Sequence, residues 1–159
     1  MLGALKEKMA AYGSDFPGFA RELLLEWSDG SIKLYVTFKS LNYRKKNREL
    51  FMDGDYTPLM GDGTLKDHIC AFARQEKNKA VLVVVPRFLT RLTQIGEMPL
   101  GKKTWGDSWL MMPGEMSANQ FRNIFTGEIL GSVEQDGGTG IALDQVFANF
   151  PVALLEAIR

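Results

Sequence analysis

The spacing of apolar residues changes near residue 50, and this change constrains the fold more than any other feature of the chain. Before it, in residues 14–27 (SDFPGFARELLLEW), Phe19 and Leu23 recur at the spacing of an amphipathic helix. After it, short apolar segments are separated by Gly, Asp and Asn, which is typical of antiparallel strands and tight turns. The sequence therefore predicts an α+β fold, with N-terminal helices in residues 1–50 and β structure in residues 51–159.

The first predicted helix has clear signals at its start. Ser14 or Asp15 can cap it, because short polar side chains accept hydrogen bonds from the free backbone N–H groups of a first turn. Pro17 suits that turn, where its missing N–H is not needed. We expect the helix to begin near residue 15 and to bury one apolar face.

A second helix is predicted over residues 31–50. Asp29 is its expected cap, and Leu34, Phe38 and Leu41 are its expected buried stripe. Its carboxyl end carries four cations, which favour the negative end of the helix dipole and are interpreted as a solvated face rather than a nucleic-acid site. They are Arg44, Lys45, Lys46 and Arg48.

The second part of the chain predicts an antiparallel β-sandwich. Residues 67–75 and 79–86 are expected to form a hairpin, and the continuous apolar run KAVLVVVP is typical of a strand that is covered on both faces. Asp144 is expected to cap a short helical turn near the end of the chain. Further strands are expected within residues 107–113, 121–125, 129–133 and 151–158.

Charge and hydropathy limit the classes of partner. The chain has 19 Lys plus Arg and 19 Asp plus Glu, so no overall basic field attracts nucleic acid or an anionic membrane. No stretch approaches the ~20 apolar residues of a membrane span, and the N-terminal apolar run is too short for a signal peptide. We expect a cytoplasmic protein that binds neither nucleic acid nor membranes.

The single cysteine and the single histidine exclude several chemistries. Cys70 has no partner for an internal disulfide, which fits a reducing compartment, and it is expected to be a small buried hydrophobic side chain. Cys70 and His68 cannot supply the four ligands of a structural zinc site. Because no Gly-x-Ser-x-Gly motif is present, His68 is interpreted as structural rather than catalytic.

The acids do not define a catalytic or metal site either. Asp53, Asp55 and Asp62 alternate in a loop, but they lack the glycine and glutamate of a calcium-binding loop at the required spacing, so we interpret them as turn residues. Glycosidases need two carboxylates with opposed protonation, and nothing singles out one pair among 19 acids. The sequence thus predicts no catalytic residue, metal or cofactor in this chain.

Two tryptophans form the candidate binding feature. If residues 104–110 (TWGDSWL) are extended, Trp105, Asp107 and Trp109 project from the same face. Aromatic rings stack on the C–H faces of sugars and a carboxylate accepts hydrogen bonds from hydroxyl groups, so these residues are a candidate glucan contact. The alternative is packing, because tryptophan buries a large apolar area and Gly106 indicates a turn.

Six blocks follow one another along the chain: LYVTFKSLNYRKKNRELFMDGDYTPL, DHICAFAR, VLVVVPR, WGDSWLMMP, FRNIFTGE and DQVFANFPVALL. Blocks in this order resemble the C-terminal region of maltooligosyltrehalose synthase, a family of the alpha-amylase superfamily, and the resemblance covers nearly all of residues 15–159. The chain departs from the family pattern at Ser108, where threonine is more usual and the hydroxyl is kept.

The resemblance implies that the chain is part of a longer enzyme. The family is an isomerase that converts the reducing-end α-1,4 linkage of a maltodextrin into an α,α-1,1 trehalose linkage by transfer within the bound molecule. Its catalytic carboxylates lie on a barrel of about 250 residues, which is expected upstream of residue 1. Residues 1–50 would be the last helices against that barrel, residues 51–159 a C-terminal β-sandwich, and the chain alone would be inactive.

Two other functions stay open from the sequence. An autonomous glucan-binding module would expose Trp105 and Trp109 and bind maltodextrin without a barrel. A protein-interaction domain would use the apolar face of the helices, since helices separated from a barrel expose apolar side chains. The expected partners are therefore the upstream barrel, maltodextrin and, in isolation, a second copy of the chain through its exposed helices.

Overall fold

A layer of helices, a six-stranded sheet and a four-stranded sheet make up the protein. The structure, a computed structural model, describes residues 1–114, 116, 118–135 and 137–158. The helices in these ranges are α1 (Leu2–Tyr12), α2 (Phe16–Leu25), α3 (Ser31–Lys46), α4 (Arg48–Met52), α5 (Gly101–Trp105) and α6 (Leu143–Val146). The strands are β1 (Asp55–Leu59), β2 (Gly61–Asp62), β3 (Ile69–Glu76), β4 (Lys79–Pro86), β5 (Trp109–Met111), β6 (Gln120–Asn123), β7 (Ile129–Gly131), β8 (Val133–Gln135), β9 (Gly138–Ala142) and β10 (Ala153–Ile158).

The two sheets are antiparallel and pack as a sandwich, so the predicted α+β class with N-terminal helices is confirmed. The larger sheet has the order β1-β3-β4-β10-β6-β7, and the smaller has the order β2-β5-β9-β8. The last strand, β10, lies in the middle of the larger sheet and pairs with both β4 and β6. The end of the chain therefore joins the two halves of that sheet.

The predicted hairpin between the third and fourth strands is confirmed. Glu76 pairs with Lys79, and two residues, Lys77 and Asn78, make the turn between them. The backbone of Lys77 has φ 52°, as expected where a two-residue turn must match the twist of its strands. The hairpin aligns all eight residues of each strand.

Both faces of the larger sheet are buried, which also confirms the prediction for the apolar run in β4. Leu82 and Val84 lie in the cluster between the two sheets, whereas Val81 lies in the cluster beneath the helices. Alternate residues of a strand point to opposite faces, so one continuous apolar run serves both clusters. A polar substitution at any of these three positions would bury a group without a partner.

The helix α2 matches its sequence signals. The Asp15 carboxylate accepts a hydrogen bond from the backbone N–H of Gly18 at 2.9 Å, and Pro17 lies in the first turn. Phe19 and Leu23 are fully buried on the larger sheet side of the helix. The cap fixes where the helix starts, and packing against the sheet then covers its apolar face.

The expected buried stripe of α3 is wrong at Leu41, although Leu34 packs against the cluster beneath the helices, and the cap residue is Gly30 rather than the expected Asp29. The Asp29 carboxylate accepts a hydrogen bond of 2.7 Å from the backbone N–H of Ser31, the first residue of the helix. However, Leu41 is 59% exposed, whereas Tyr35 and Tyr43 are buried. The reason is tertiary, because partners from the β region select which side of the helix is covered. Those partners include Phe125, Phe150 and Leu154, which share one cluster with the two tyrosines.

Tyr35 makes a buried hydrogen bond between the helices and the β region. Its hydroxyl donates a hydrogen bond of 2.6 Å to the backbone oxygen of Phe125, and its ring contacts Phe19 and Phe150 edge-on. A buried phenol needs such an acceptor, since an unpaired buried polar group is destabilising. The bond joins α3 to the segment that follows β6.

The predicted helical turn near the end of the chain is present, but its cap residue differs from the prediction. Asp144 lies in the first turn of α6, but the residue at the cap position is Ala142. An acidic side chain in the first turn still interacts favourably with the positive end of the helix dipole. The helix places Leu143 and Val146 in the cluster between the sheets.

Candidate functional site

The structure separates the residues that sequence reasoning grouped as a glucan contact. Trp105 is the last residue of α5, Asp107 lies in the turn after it, and Trp109 begins β5. Gly106 between them has φ 53°, which L side chains rarely adopt, so the chain reverses instead of continuing as a strand. The expectation that the three side chains project from one face of a strand is therefore wrong.

Trp105 packs in the protein interior. Its side chain is 0% exposed, its ring centroid lies 4.7 Å from that of Phe147, and its Nε1 donates a hydrogen bond of 2.7 Å to the oxygen of Pro99. The apolar area of the ring is buried and the indole N–H has an acceptor, both within the fold. Trp105 is thus a core residue, which agrees with the packing alternative given above.

Asp107 and Trp109 remain accessible to different extents. Asp107 is exposed, and its carboxylate accepts a 3.5 Å hydrogen bond from the hydroxyl of Thr64. Trp109 is half-buried and pairs with Asp62 of β2 and Ala142 of β9. A glucan contact made by these two residues stays a prediction.

Ser108, between them, has a structural role. Its side chain is 1% exposed, and its Oγ accepts a hydrogen bond of 2.9 Å from the backbone N–H of Leu65. The hydroxyl thereby joins the segment after β2 to the start of β5. A threonine at this position would present the same acceptor.

The residues that carry reactive groups are dispersed. Cys70 is exposed on β3, so its expected burial is wrong: its side chain lies on the sheet face at a position that the helices leave open. His68 is half-buried in a turn before β3, with its ring edge-on to Phe88. Within the described residues, no three His, Cys, Asp or Glu side chains are grouped so that they could hold a metal ion.

Two concave surfaces lie on opposite sides of α3. The first, which we call the apolar groove, has a volume of about 570 Å³ and lies between α3 and the β1 side of the larger sheet. It is lined mainly by apolar side chains, together with two arginines. The residues that define it are Leu41, Phe51, Tyr56, Phe72, Arg44 and Arg74.

The second surface, which we call the cationic pocket, also has a volume of about 570 Å³ and lies between α3 and strands β6 and β10. Its polar residues are Lys39, Asn42, Tyr43, Lys46, Arg122 and Glu156. Sequence reasoning missed this site. The available signal was the spacing of Lys39, Tyr43 and Lys46, which are four and three residues apart and so share one face of a helix.

The four cations predicted to form a solvated face are all exposed, and two of them line these surfaces. Arg44 lines the apolar groove, whereas Lys46 lines the cationic pocket on the other side of the helix. Arg44, Lys45 and Arg48 line a further depression together, so three of the four cations are neighbours in space and only Lys46 faces the cationic pocket. No helix within the described residues is long and apolar enough to span a membrane.

The fold and these surfaces define the class of protein: an α+β unit with a two-sheet core, a half-covered helical face and no grouped metal ligands in the part that the structure describes. Sequence comparison then points to a particular family. Proteins from two strains of Mycobacterium tuberculosis, both named maltooligosyl trehalose synthase, are 34% identical to this chain over 80 residues. The match covers 48% of this chain and 10% of each relative.

A structural comparison agrees with that match. A solved mutant of maltooligosyltrehalose synthase from Arthrobacter ramosus superposes with a TM-score of 0.58 over 87% of this chain and 16% of that chain, at 23% identity. No family model matches the sequence. The resemblance to the C-terminal region of this enzyme is thus confirmed, and the matched part spans about a tenth of the length of the curated relatives.

Proposed function

We propose that the chain is the non-catalytic C-terminal region of an enzyme that isomerises the reducing-end α-1,4 linkage of maltodextrins to an α,α-1,1 trehalose linkage. The observation that carries this proposal is the agreement of two independent comparisons on one enzyme. The parent enzyme is an intramolecular transglucosylase of the cytoplasm, and its carboxylates lie outside residues 1–159.

The proposed role of this region is to support the catalytic barrel of the same parent chain. The helical side offers the surface for that contact, since it leaves Leu25 84% exposed and Trp27 54% exposed beyond the groove. Residues 1–50 are then the last helices against the barrel, and residues 51–159 are the sandwich that holds them. Large apolar patches on one side of a unit are typical of such interfaces.

An immunodepletion experiment tests the proposed function. Antibodies raised against the 159-residue chain are used to deplete a lysate of the source cells, and conversion of maltopentaose to a non-reducing product is followed. We expect depletion to remove the activity, whereas pre-immune antibodies leave it. Full activity in a lysate that no longer contains the chain would contradict the proposal, and the purified chain is expected to be inactive by itself.

Self-association of the isolated chain is a second expectation. With no barrel to cover it, the apolar groove should pair with a second copy, so sedimentation velocity is expected to show a concentration-dependent dimer. Leu41→Lys places a charge in the groove and should shift the equilibrium toward monomer. Ile95→Lys, at a fully exposed loop position, is the matched control. A monomer at all concentrations would count against this contact.

Glucan contact by Asp107 and Trp109 is the remaining part of the proposal. The Trp27→Phe variant removes the exposed tryptophan, so its emission reports Trp105 and Trp109. Because Trp105 is buried, a change on titration with maltopentaose would come from Trp109. Asp107→Ala should weaken that change, and no change at millimolar sugar would exclude a glucan contact here.

A further inference from the structure

The walls of the cationic pocket come from two elements that are far apart in sequence. Helix α3 contributes Lys39, Tyr43 and Lys46, and the larger sheet contributes Arg122 from β6 and Glu156 from β10. The volume of about 570 Å³ lies within the range of ~300–1,000 Å³ that is usual for small-molecule sites. The pocket is therefore large enough for an organic ligand.

The charges in this pocket do not balance. Three cations face one carboxylate, so the pocket carries a net charge of 3 − 1 = +2. Glu156 already has neighbours, because it lies opposite Arg122 in the strand register and next to the phenol of Tyr43. The ion pairs found in the described residues include neither Lys39 nor Lys46. Two positive charges are left to attract an anion.

Lys39 is held in place for such a contact. Its Nζ lies 5.0 Å from the ring centroid of Phe16 and 5.9 Å from that of Tyr35, which are cation–π distances. Burial, together with the charge of Lys46, lowers the pKa of Lys39. An anion between the two lysines would remove this repulsion. The site is thus arranged around a charge that the protein does not supply.

We propose that the cationic pocket binds a small phosphate monoester. A phosphate monoester carries a charge of about −1.5 to −2 at pH 7, which matches the excess of two cations, and its oxygens accept several hydrogen bonds from lysine and arginine. The organic part would lie against Phe38 and Ile124, with the side-chain oxygen of Asn42 available to a hydroxyl group, since its Nδ2 already donates to the backbone oxygen of Phe38. A neutral sugar would leave both lysines unpaired. This inference does not depend on the proposed enzyme activity.

Calorimetric titration of the 159-residue chain at low salt tests the inference, with glucose 6-phosphate, inorganic phosphate and glucose as probes. We expect saturable binding of glucose 6-phosphate, weaker binding of inorganic phosphate and none of glucose. Affinity should rise between about pH 5 and about pH 7, because the second ionisation of a phosphate monoester lies near pH 6. No binding of glucose 6-phosphate at millimolar concentration would overturn the proposal.

Exposed residues provide the variants, so that folding is preserved. Lys46→Gln and Arg122→Gln each remove one charge and should weaken binding of glucose 6-phosphate about tenfold, since each removes a charge-assisted hydrogen bond. Lys45→Gln, at an exposed position adjacent on the same helix that does not line the pocket, is the matched control and should change affinity less than twofold. Unchanged binding in both pocket variants would show that the ligand binds elsewhere. Equal affinity for inorganic phosphate would show that the organic part of the ester is not recognised.

Discussion

The two faces of the larger sheet are covered in different ways. On one face, the smaller sheet and the short helices α5 and α6 close a core around Trp105 and Phe147. On the other, α1, α2 and α3 cover a core around Tyr35 and Phe19 but leave part of the sheet open as the apolar groove. The closed face supplies stability, whereas the open face carries both concave surfaces and the proposed contacts.

The same strands serve both faces, so the difference arises from what lies against them. The core between the sheets is built from strands whose alternating side chains interdigitate. The helical face depends on a few large aromatic contacts and on the hydrogen bond from Tyr35 to Phe125. We therefore expect substitutions in the sandwich core to lower stability most. Substitutions in the helical core should have smaller and more local effects.

The largest effect is expected for Trp105→Ala. The change removes a fully buried indole and leaves the oxygen of Pro99 without its donor, so the free energy of unfolding should fall by about 3–5 kcal/mol. Urea denaturation followed by circular dichroism measures the loss. The control is Trp27→Ala at an exposed position, which should change stability by less than about 0.5 kcal/mol. Equal effects at both positions would contradict the assignment of Trp105 to the core.

A smaller loss is expected for Tyr35→Phe on the helical face. The ring is kept, but the buried oxygen of Phe125 loses its donor, which should lower the free energy of unfolding by about 1–3 kcal/mol. Tyr56→Phe, at a position that is 59% exposed, is the matched control and should have little effect. Hydrogen exchange that speeds up in α3 before it does in β4 would locate the loss on the helical face.

The smallest effect is a loss of stability at alkaline pH, which arises from the two buried tyrosines on the helical face of the larger sheet. Burial raises the pKa of Tyr35, and burial with the nearby charge of Glu156 raises the pKa of Tyr43. The unfolded chain releases these protons near pH 10 while the folded chain keeps them, so stability present below that pH is lost as the pH rises. The loss should be about 0.4 kcal/mol per tyrosine at pH 10.

Urea denaturation at a series of alkaline pH values measures this loss. Tyr35→Phe should show a weaker pH dependence than the native chain, because one of the two buried phenols is gone. The described cluster between the sheets contains no tyrosine, so the emission of Trp105 should stay constant until global unfolding. The same pH dependence with and without the Tyr35 hydroxyl would show that its burial is not the cause.

The elements whose signals are local could be predicted from the sequence. The Asp15 cap, the turn at Lys77 and the two-faced run around Val81 each depend on neighbours in the chain or on strand alternation. The buried side of α3 could be predicted only in part, because Leu34 packs against the cluster but the β region covers Tyr35 and Tyr43 and leaves Leu41 exposed. Tertiary partners decided between two faces that were both apolar.

The prediction that three side chains form one glucan-binding face was wrong for a related reason. Trp105, Asp107 and Trp109 have the spacing of one strand face, but Gly106 adopts a positive φ and ends a helix at that point. The glycine was the local signal for this turn. The cationic pocket was missed because Arg122 and Glu156 meet α3 only after β6 and β10 have paired. Sites built across distant elements leave no continuous motif in the sequence.

The size of the native polypeptide tests the central claim, that this chain is one region of a larger enzyme, most directly. An antibody to the 159-residue chain is used to probe an immunoblot of a lysate from the source cells, prepared with protease inhibitors. The account predicts a band several times heavier than 17.8 kDa, in line with relatives of which the match covers about a tenth. A single band at 17.8 kDa would contradict it and would identify a free-standing domain.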